Sequence, residues 1–316
     1  MQMRPLGRTG LSIAPVVFGG NVFGWTADEK TSFALLDAFF DAGYNTIDTA
    51  DVYSSWVEGH KGGESETIIG KWLRQGHVAR DKVIIVTKVG SDMGLGHVCL
   101  KKDYILKAVE DSLRRLGTDY IDLYLSHWPD AETPYEETLS AFAELKQQGK
   151  IRAIGCSNLS GEQLATSFKA AETTGLPRYD VIQPEYNLYT RDKFEGPLAD
   201  LCIAQDIGVI SYYALAAGFL TGKYRKPGDG EGKARGYRMD GYLNDRGLAV
   251  LAALDKVCAD TGLSLATIAI AWVAARPGIT APIASATSLS QLHSMIKAGQ
   301  VALSAEHMAL LDAAGV

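Results

Sequence analysis

Short runs of β-branched and other apolar residues recur along the chain. Each ends in polar residues and is followed by a stretch with apolar positions at helical spacing. The runs are Val16–Phe18, Asn45–Ile47, Val83–Thr87, Ile121–Leu125, Ala153–Gly155, Val181–Gln183, Val209–Tyr212 and Ala281–Ile283. The helical stretches cover roughly 29–42, 64–75, 103–116, 135–149, 160–174, 194–206, 264–276 and 288–298. Asp103, Ser160 and Ser288 stand where N-caps are expected, and Ser264 opens the run LATIAIAWVAA. The runs are apolar throughout rather than alternating, which suits a parallel sheet covered on both faces. Eight such units predict an α/β fold, a (β/α)8 TIM barrel, with a doubly wound open sheet as the alternative. A turn is expected at Gly7–Gly10 and an extra helix over Arg246–Thr261. No linker divides residues 1–316, which read as one domain. The Gly-rich, charged segment from Gly222 to Asp245 is expected to be a long mobile loop inside it, with its glycine cluster at 228–241 able to close over a cofactor.

Composition narrows the class without naming a chemistry. The chain carries 31 Lys and Arg against 37 Asp and Glu, a formal charge of −6, which argues against a nucleic-acid binder. The longest strongly apolar stretch, Ile268–Ala275, is too short to cross a bilayer, and the first ten residues hold no apolar core of a secretory signal. A cytoplasmic protein without a membrane partner is expected. Its four cysteines are far apart and read as buried thiols. Glycine is the one unusual count, at 33 residues. Gly43, Gly149 and Gly208 read as turns between units.

No dinucleotide fingerprint of the G-x-G-x-x-G type follows the first strand, no P-loop is present, and no His pair has zinc-helix spacing. In a barrel of this kind chemistry gathers where strands meet the loops that follow them. Those positions hold Asp48 and then Tyr53, Lys88, His127, Ser157 and Asn158, Gln183, Tyr212 and Ser285. Asp, Tyr, Lys and His on one rim make a proton donor. A lysine ammonium beside a phenol is expected to lower its pKa, an aspartate holds the lysine, and a histidine polarises a substrate oxygen. The set has no nucleophile and base for acyl transfer. It suits protonation of a carbonyl oxygen while another agent supplies hydride.

At these positions the sequence resembles the aldo-keto reductases across essentially its whole length, and is similar also to the potassium-channel β subunits that share their fold. The carrying segments are RPLGRTGLSIAPVVFGG, YNTIDTADVY, VTKVG, DLYLSHWPD, GKIRAIGCSN, QPEYNLYTR and GVISYYALAAGFLTGKY. The resemblance implies an N-terminal β-hairpin before the first barrel strand and reversible hydride transfer between NADP(H), or NAD(H), and an aldehyde, ketone or alcohol. It implies Tyr53 as general acid, tuned by Asp48 and Lys88, with His127 on the carbonyl oxygen. Ser157, Asn158 and Gln183 would hold the nicotinamide carboxamide and Tyr212 would stack on its ring. Backbone around Leu215, Gly218 and Leu220 would approach the diphosphate, where small residues crowd Ala214–Gly222. Lys223, Ser285, Thr287 and Gln291 complete the cofactor set, the last three near a helix N-terminus that can bind phosphate.

Three departures bear on that picture. The segment SATSLSQLHSM has Thr287 and no cation where many relatives carry Arg or Lys, and Met295 where Asn is common, so the choice between NADP(H) and NAD(H) stays open. Tyr212 is followed by a second ring, Tyr213, so which of them stacks is open too. The loop after Tyr53, SSWVEGHKGGES, is long and bears Trp56. Trp25, Trp56, Trp128 and Tyr186 are the substrate-pocket candidates, for apolar, planar or sugar carbonyls alike. A cofactor-sensing regulatory subunit with little turnover, and a metal-dependent barrel hydrolase using Asp48 and His127, are the competing readings.

Overall fold

A computed structural model describes residues 1–315. An antiparallel hairpin, β1 (Arg4–Pro5) and β2 (Ser12–Ile13), comes first. Eight strands then close into an all-parallel barrel: β3 (Val17–Gly19), β4 (Thr46–Asp48), β5 (Ile84–Val89), β6 (Ile121–Ser126), β7 (Ile151–Ser157), β8 (Val181–Gln183), β9 (Gly208–Ser211) and β10 (Ala281–Ala284). Neighbours in the barrel are neighbours in the chain, and β10 pairs with both β9 and β3 to close it. This is the (β/α)8 architecture the periodicity predicts, and the open sheet is excluded.

Around the barrel run α1 (Glu29–Asp41), α2 (Glu64–Arg74), α3 (Lys102–Leu116), α4 (Tyr135–Gln147), α5 (Gly161–Thr174), α6 (Pro197–Ala204), α7 (Asp245–Thr261), α8 (Leu265–Ala274), α9 (Leu289–Ala298) and α10 (Ala305–Ala314). Two apolar layers follow from strand alternation. Ile47, Ile85, Tyr124 and Ile154 point outward against Phe39, Trp72, Leu113 and Phe142 of the helices. Ile84, Val86, Leu123, Leu125, Val181 and Ile210 point inward and fill the barrel. No single helix among the described residues is long and apolar enough to cross a membrane.

The β1–β2 hairpin seals the end of the barrel where the strands begin, with Leu6, Leu11 and Ile13 buried in the inner layer. Gly208, expected as a turn glycine, is instead the first residue of β9, and a Cβ there would lie 2.7 Å from the Leu6 side chain. Small size matters at this contact, because the plug leaves the opposite rim as the open one.

Several boundaries shift for identifiable reasons. Ser160 forms a capping box with Gln163, while Ser264 and Ser288 cap α8 and α9 as expected. Asp103 does not cap: α3 begins at Lys102, which puts the carboxylate in the first turn, where it still meets the positive end of the helix. α6 starts only at Pro197, which takes the first helical position that suits a fixed φ. α10 lies beyond the predicted elements, although Ser304 caps it from His307 N–H and Leu311 is fully buried. Within the segment expected to be a loop, Gly236–Gly241 forms a 3-10 turn that buries Met239.

Candidate active site

Alternation also decides which polar side chains enter the open end. Lys88 continues the inward row of Ile84 and Val86 on β5, and Asp48 is the last residue of β4. Register holds the strands together there, with Asp48 opposite Val86 and Lys88 opposite Leu125. The buried Lys88 Nζ donates to Asp48 Oδ2 at 2.8 Å, to the Thr49 carbonyl at 2.7 Å and to the Tyr53 hydroxyl oxygen at 2.8 Å. That satisfies all three ammonium donors. The Tyr53 hydroxyl in turn lies 3.3 Å from Asp48 Oδ2 as a donor, and Gln183 Nε2 donates to Asp48 Oδ1 at 2.7 Å.

Electrostatics differ from the expectation in one respect. Burial first, and then the charge and hydrogen bond of Asp48, push the Tyr53 hydroxyl well above its ordinary 10. The phenol therefore keeps its proton at neutral pH rather than sharing in a lowered pKa. Burial lowers the Lys88 ammonium, with Asp48 opposing the shift. His127 follows β6 and is held well below 6.5 by burial and by the charge of Lys88, so its ring is neutral. Its Nδ1 meets Ser91 Oγ at 2.9 Å. When that hydroxyl donates to Nδ1, Nε2 carries the ring proton.

A second chain of hydrogen bonds ties the next strand ends together. Ser157 Oγ donates to the Gln183 carbonyl at 2.7 Å. Asn158, at φ +62°, donates through Nδ2 to the His127 carbonyl at 2.9 Å, and its Oδ1 accepts from the Tyr212 hydroxyl at 2.7 Å. Tyr212 is thus the ring anchored to the site. Tyr213, at φ +58°, turns edge-on to it with centroids 5.1 Å apart. Left-handed backbone continues at Ala216 (φ +46°), Ala217 (+56°) and Gly218 (+99°), a concentration of strain in one cavity wall.

These residues line a cavity of about 1030 Å³. One end holds Asp48, Tyr53, His127 and Gln183; the other is formed by Ser264 and Leu265 at the start of α8 and by Gln291, Ser294 and Met295 on α9. Its volume exceeds that of a typical small-ligand site, about 300–1,000 Å³. Ala214, Ala217 and Gly218, with Leu215 among them, give it one wall of mostly small residues. A cavity of this volume, with a small-residue wall and polar groups on several strands and helices, has room for a dinucleotide.

Most of the sequence-predicted residues meet here. Trp25, Trp56 and Trp128 line the cavity, with Trp25 edge-on to Trp56 at 5.6 Å and Trp128 stacked on His127 at 5.9 Å. Lys223, Ser285, Thr287 and Gln291 line it as well. Ser285 Oγ donates to Asn21 Oδ1 at 2.7 Å, and Gln291 Oε1 accepts from the Thr287 N–H at 2.9 Å.

Lys88 is fully buried and meets the cavity only through Asp48 and Tyr53, and two further candidates do not reach the wall. Tyr186 is buried against Trp272, ring centroids 5.5 Å apart, and donates to Glu195 at 2.6 Å, so it packs the barrel against α8. Leu220 is fully buried, and its N–H turns back to the Leu215 carbonyl at 3.2 Å because the 215–221 segment coils on itself. Sequence reasoning missed Ser91, which lies two residues beyond β5 and was discoverable from that position. It also missed Arg235 and Arg238, which line the cavity from the segment expected to be mobile. Among the described residues no group of three or more His, Cys, Asp or Glu is arranged to hold a metal ion.

Comparison with known proteins bears on the same chemistry. The family model described as "Aldo/keto reductase family" matches residues 15–315. The chain is 35% identical to an uncharacterized oxidoreductase, YrpG, of Bacillus subtilis, over 99% of this chain and 95% of that protein. It is 37% identical to the aldo-keto reductase YhdN of the same organism, over 88% and 81%. To a probable voltage-gated potassium channel subunit beta of Oryza sativa it is 34% identical, over 94% and 91%.

Proposed function

The chain belongs to the aldo/keto reductase family, and from that premise we propose that it transfers hydride reversibly between NADP(H) or NAD(H) and an aldehyde, ketone or alcohol. The observation that carries the reading is Lys88 Nζ, buried and 2.8 Å from both Asp48 and the oxygen of Tyr53, two residues that line the cavity. The reduced nicotinamide supplies hydride when bound.

The remaining chemistry belongs to the chain. A carbonyl oxygen seated between the Tyr53 hydroxyl and His127 Nε2 meets two neutral donors. As charge grows on that oxygen, Tyr53 gives up its proton. Its own oxygen is left against the Lys88 ammonium, where a preorganised charge stabilises it without reorganisation. Asp48, held from its other side by Gln183, keeps the ammonium aimed at Tyr53. Gln183 Oε1 would be the acceptor for the carboxamide, and Tyr212, held through Asn158, would offer its ring to the nicotinamide. In the reverse direction Tyr53 takes the proton back.

Replacement of Tyr53 by phenylalanine tests this. Fluorescence titration with NADPH and NADH is expected to show binding retained, while turnover of a panel of aldehydes and ketones falls by a factor of about 10² to 10⁴, the usual contribution of a positioned acid. Full turnover in that variant excludes Tyr53 as the donor. The same titration on the unmodified protein ranks the two cofactors: Thr287, Gln291, Ser294 and Met295 offer no cation for a 2′-phosphate, so NADP(H) would draw that charge from Lys223 or another cation lining the cavity. The likeness to the rice channel subunit favours one second reading, a cofactor-sensing subunit with little turnover. Tight cofactor binding with no turnover of any carbonyl in the panel would select it.

A further inference from the structure

Arg235 and Arg238 bring two guanidinium groups into the cavity, and neither has an acid within salt-bridge distance among the described residues. The Arg235 guanidinium carbon lies over the indole of Trp25, 5.2 Å from its centroid. Its Nη2 is buried and meets no hydrogen-bond partner among the described residues. Arg238 lies over Tyr213 at 5.3 Å. The acids of the same cavity are spoken for. Asp48 holds Lys88, and Asp92 is wrapped by the N–H groups of Gly94 and Gly96. Glu185 feels Arg238 only at a distance, among weaker causes. A half-buried guanidinium with a free donor is costly unless an anion completes it, and its planar fork suits carboxylate or phosphate.

Position indicates which molecule brings that anion. Trp25, under Arg235, stands edge-on to Trp56, and Trp56 stands 6.1 Å from the Tyr53 ring. Tyr213, under Arg238, stands edge-on to Tyr212. Both guanidiniums are therefore joined by aromatic rings to the proton-donating end. Ala214, Leu215, Ala217 and Gly218, the stretch that would take a diphosphate, line the same cavity. A flat, apolar spacer lying along Trp25 and Trp56 would place a carbonyl at Tyr53 and an anion at Arg235.

We propose that Arg235, flanked by Arg238, is the specificity-determining anchor for an anionic group on the substrate, so that the protein favours aldehydes or ketones carrying a carboxylate or phosphate. This rests on the carbonyl-reductase reading and names its substrate class.

The test compares 4-carboxybenzaldehyde with 4-methylbenzaldehyde in the wild-type protein, Arg235→Met and Arg235→Lys. It is joined by binding of unreactive benzoate and benzamide to the cofactor-loaded protein, followed by tryptophan fluorescence. The wild type is expected to favour the carboxylate in kcat/KM by about tenfold or more. In Arg235→Met that ratio should fall about 10- to 100-fold, the worth of one charge-assisted contact, and Arg235→Lys should restore part of it. Benzoate should bind the wild type more tightly than benzamide, and the difference should vanish in Arg235→Met. Equal losses for both aldehydes, or no preference in the wild type, overturn the proposal. A loss of cofactor affinity with the aldehyde ratio intact also overturns it and assigns the guanidinium to the cofactor's diphosphate. If no carbonyl is reduced at all, the activity reading fails, and benzoate against benzamide still decides whether the anion site exists.

Discussion

Replacing Asp51 by asparagine isolates an ionisation that the fold suppresses. Asp51 lies three residues beyond Asp48, is buried, and leaves Oδ1 without a partner among the described residues. Burial first, and then the charge of Glu66, push its carboxyl up to about 8, against smaller opposing contributions from Arg115, the Val52 N–H and Lys88. Glu66 is already committed: it bridges Arg115 at 2.6 Å and accepts from Thr87 at 2.6 Å. Lys88 already pairs with Asp48 and Arg115 with Glu66, so an ionised Asp51 would be a buried charge with no counter-charge of its own. The folded pKa is therefore above the unfolded value of about 3.9. The native chain holds one more proton between those limits, and stability falls as pH rises through them. At about 1.4 kcal/mol per pH unit, the loss between about pH 5 and pH 8 is at most about 4 kcal/mol. The Asp51→Asn variant has no such ionisation. Urea unfolding of both proteins from about pH 5 to pH 9 should show the variant gaining on the wild type up to about pH 8 and then holding a constant advantage. Parallel stability curves would refute the reasoning, because they would mean that Asp51 ionises normally in the folded protein.

Two further perturbations test the packing. Gly70→Ala places a methyl group 2.2 Å from the Arg115 carbonyl and 2.7 Å from that of Leu116, where α2 crosses the end of α3. Backbone cannot yield there cheaply, so urea unfolding should show a loss of about 1–3 kcal/mol, and a change below about 0.5 would mean the helices separate freely. Asp312→Ala removes the acceptor for the buried Trp272 Nε1 (2.8 Å) and for Arg276 (2.9 Å), leaving the indole N–H unpaired. A loss of about 1–3 kcal/mol is expected in the same assay, and wild-type stability would show that α10 contributes nothing to holding α8.

How much of the site was readable follows from how each part is encoded. Asp48, Lys88, His127, Ser157 and Gln183 were visible because each sits at the end of a strand, where hydrophobic periodicity stops and polar residues begin. The short spacing from Asp48 to Tyr53 then brings the phenol to the same rim. Tyr186 was misplaced by the same logic, because whether a loop side chain turns toward the cavity or into the core depends on local backbone. Leu220, expected from the family resemblance to offer its backbone to the cavity, turns its N–H inward instead. The coil at 215–221 buried Leu220, and a ring slot beside Trp272 took Tyr186. Arg235 and Arg238 were invisible, since a Gly-rich charged segment carries no period from which a direction could be read.

By itself the sequence determined the alternation of strand and helix, hence the parallel barrel and the rim that bears the polar residues, because those depend on local pattern and on the order of elements. Only the tertiary structure decided which charges remain charged. Tyr53 and Asp51 are held in their neutral forms and His127 is held unprotonated by burial and by neighbours brought from other strands, interactions between residues far apart in the chain. It also decided that two arginines from a distant segment line the cavity that holds the proton donor, without a salt-bridge partner, since that depends on how a loop folds back.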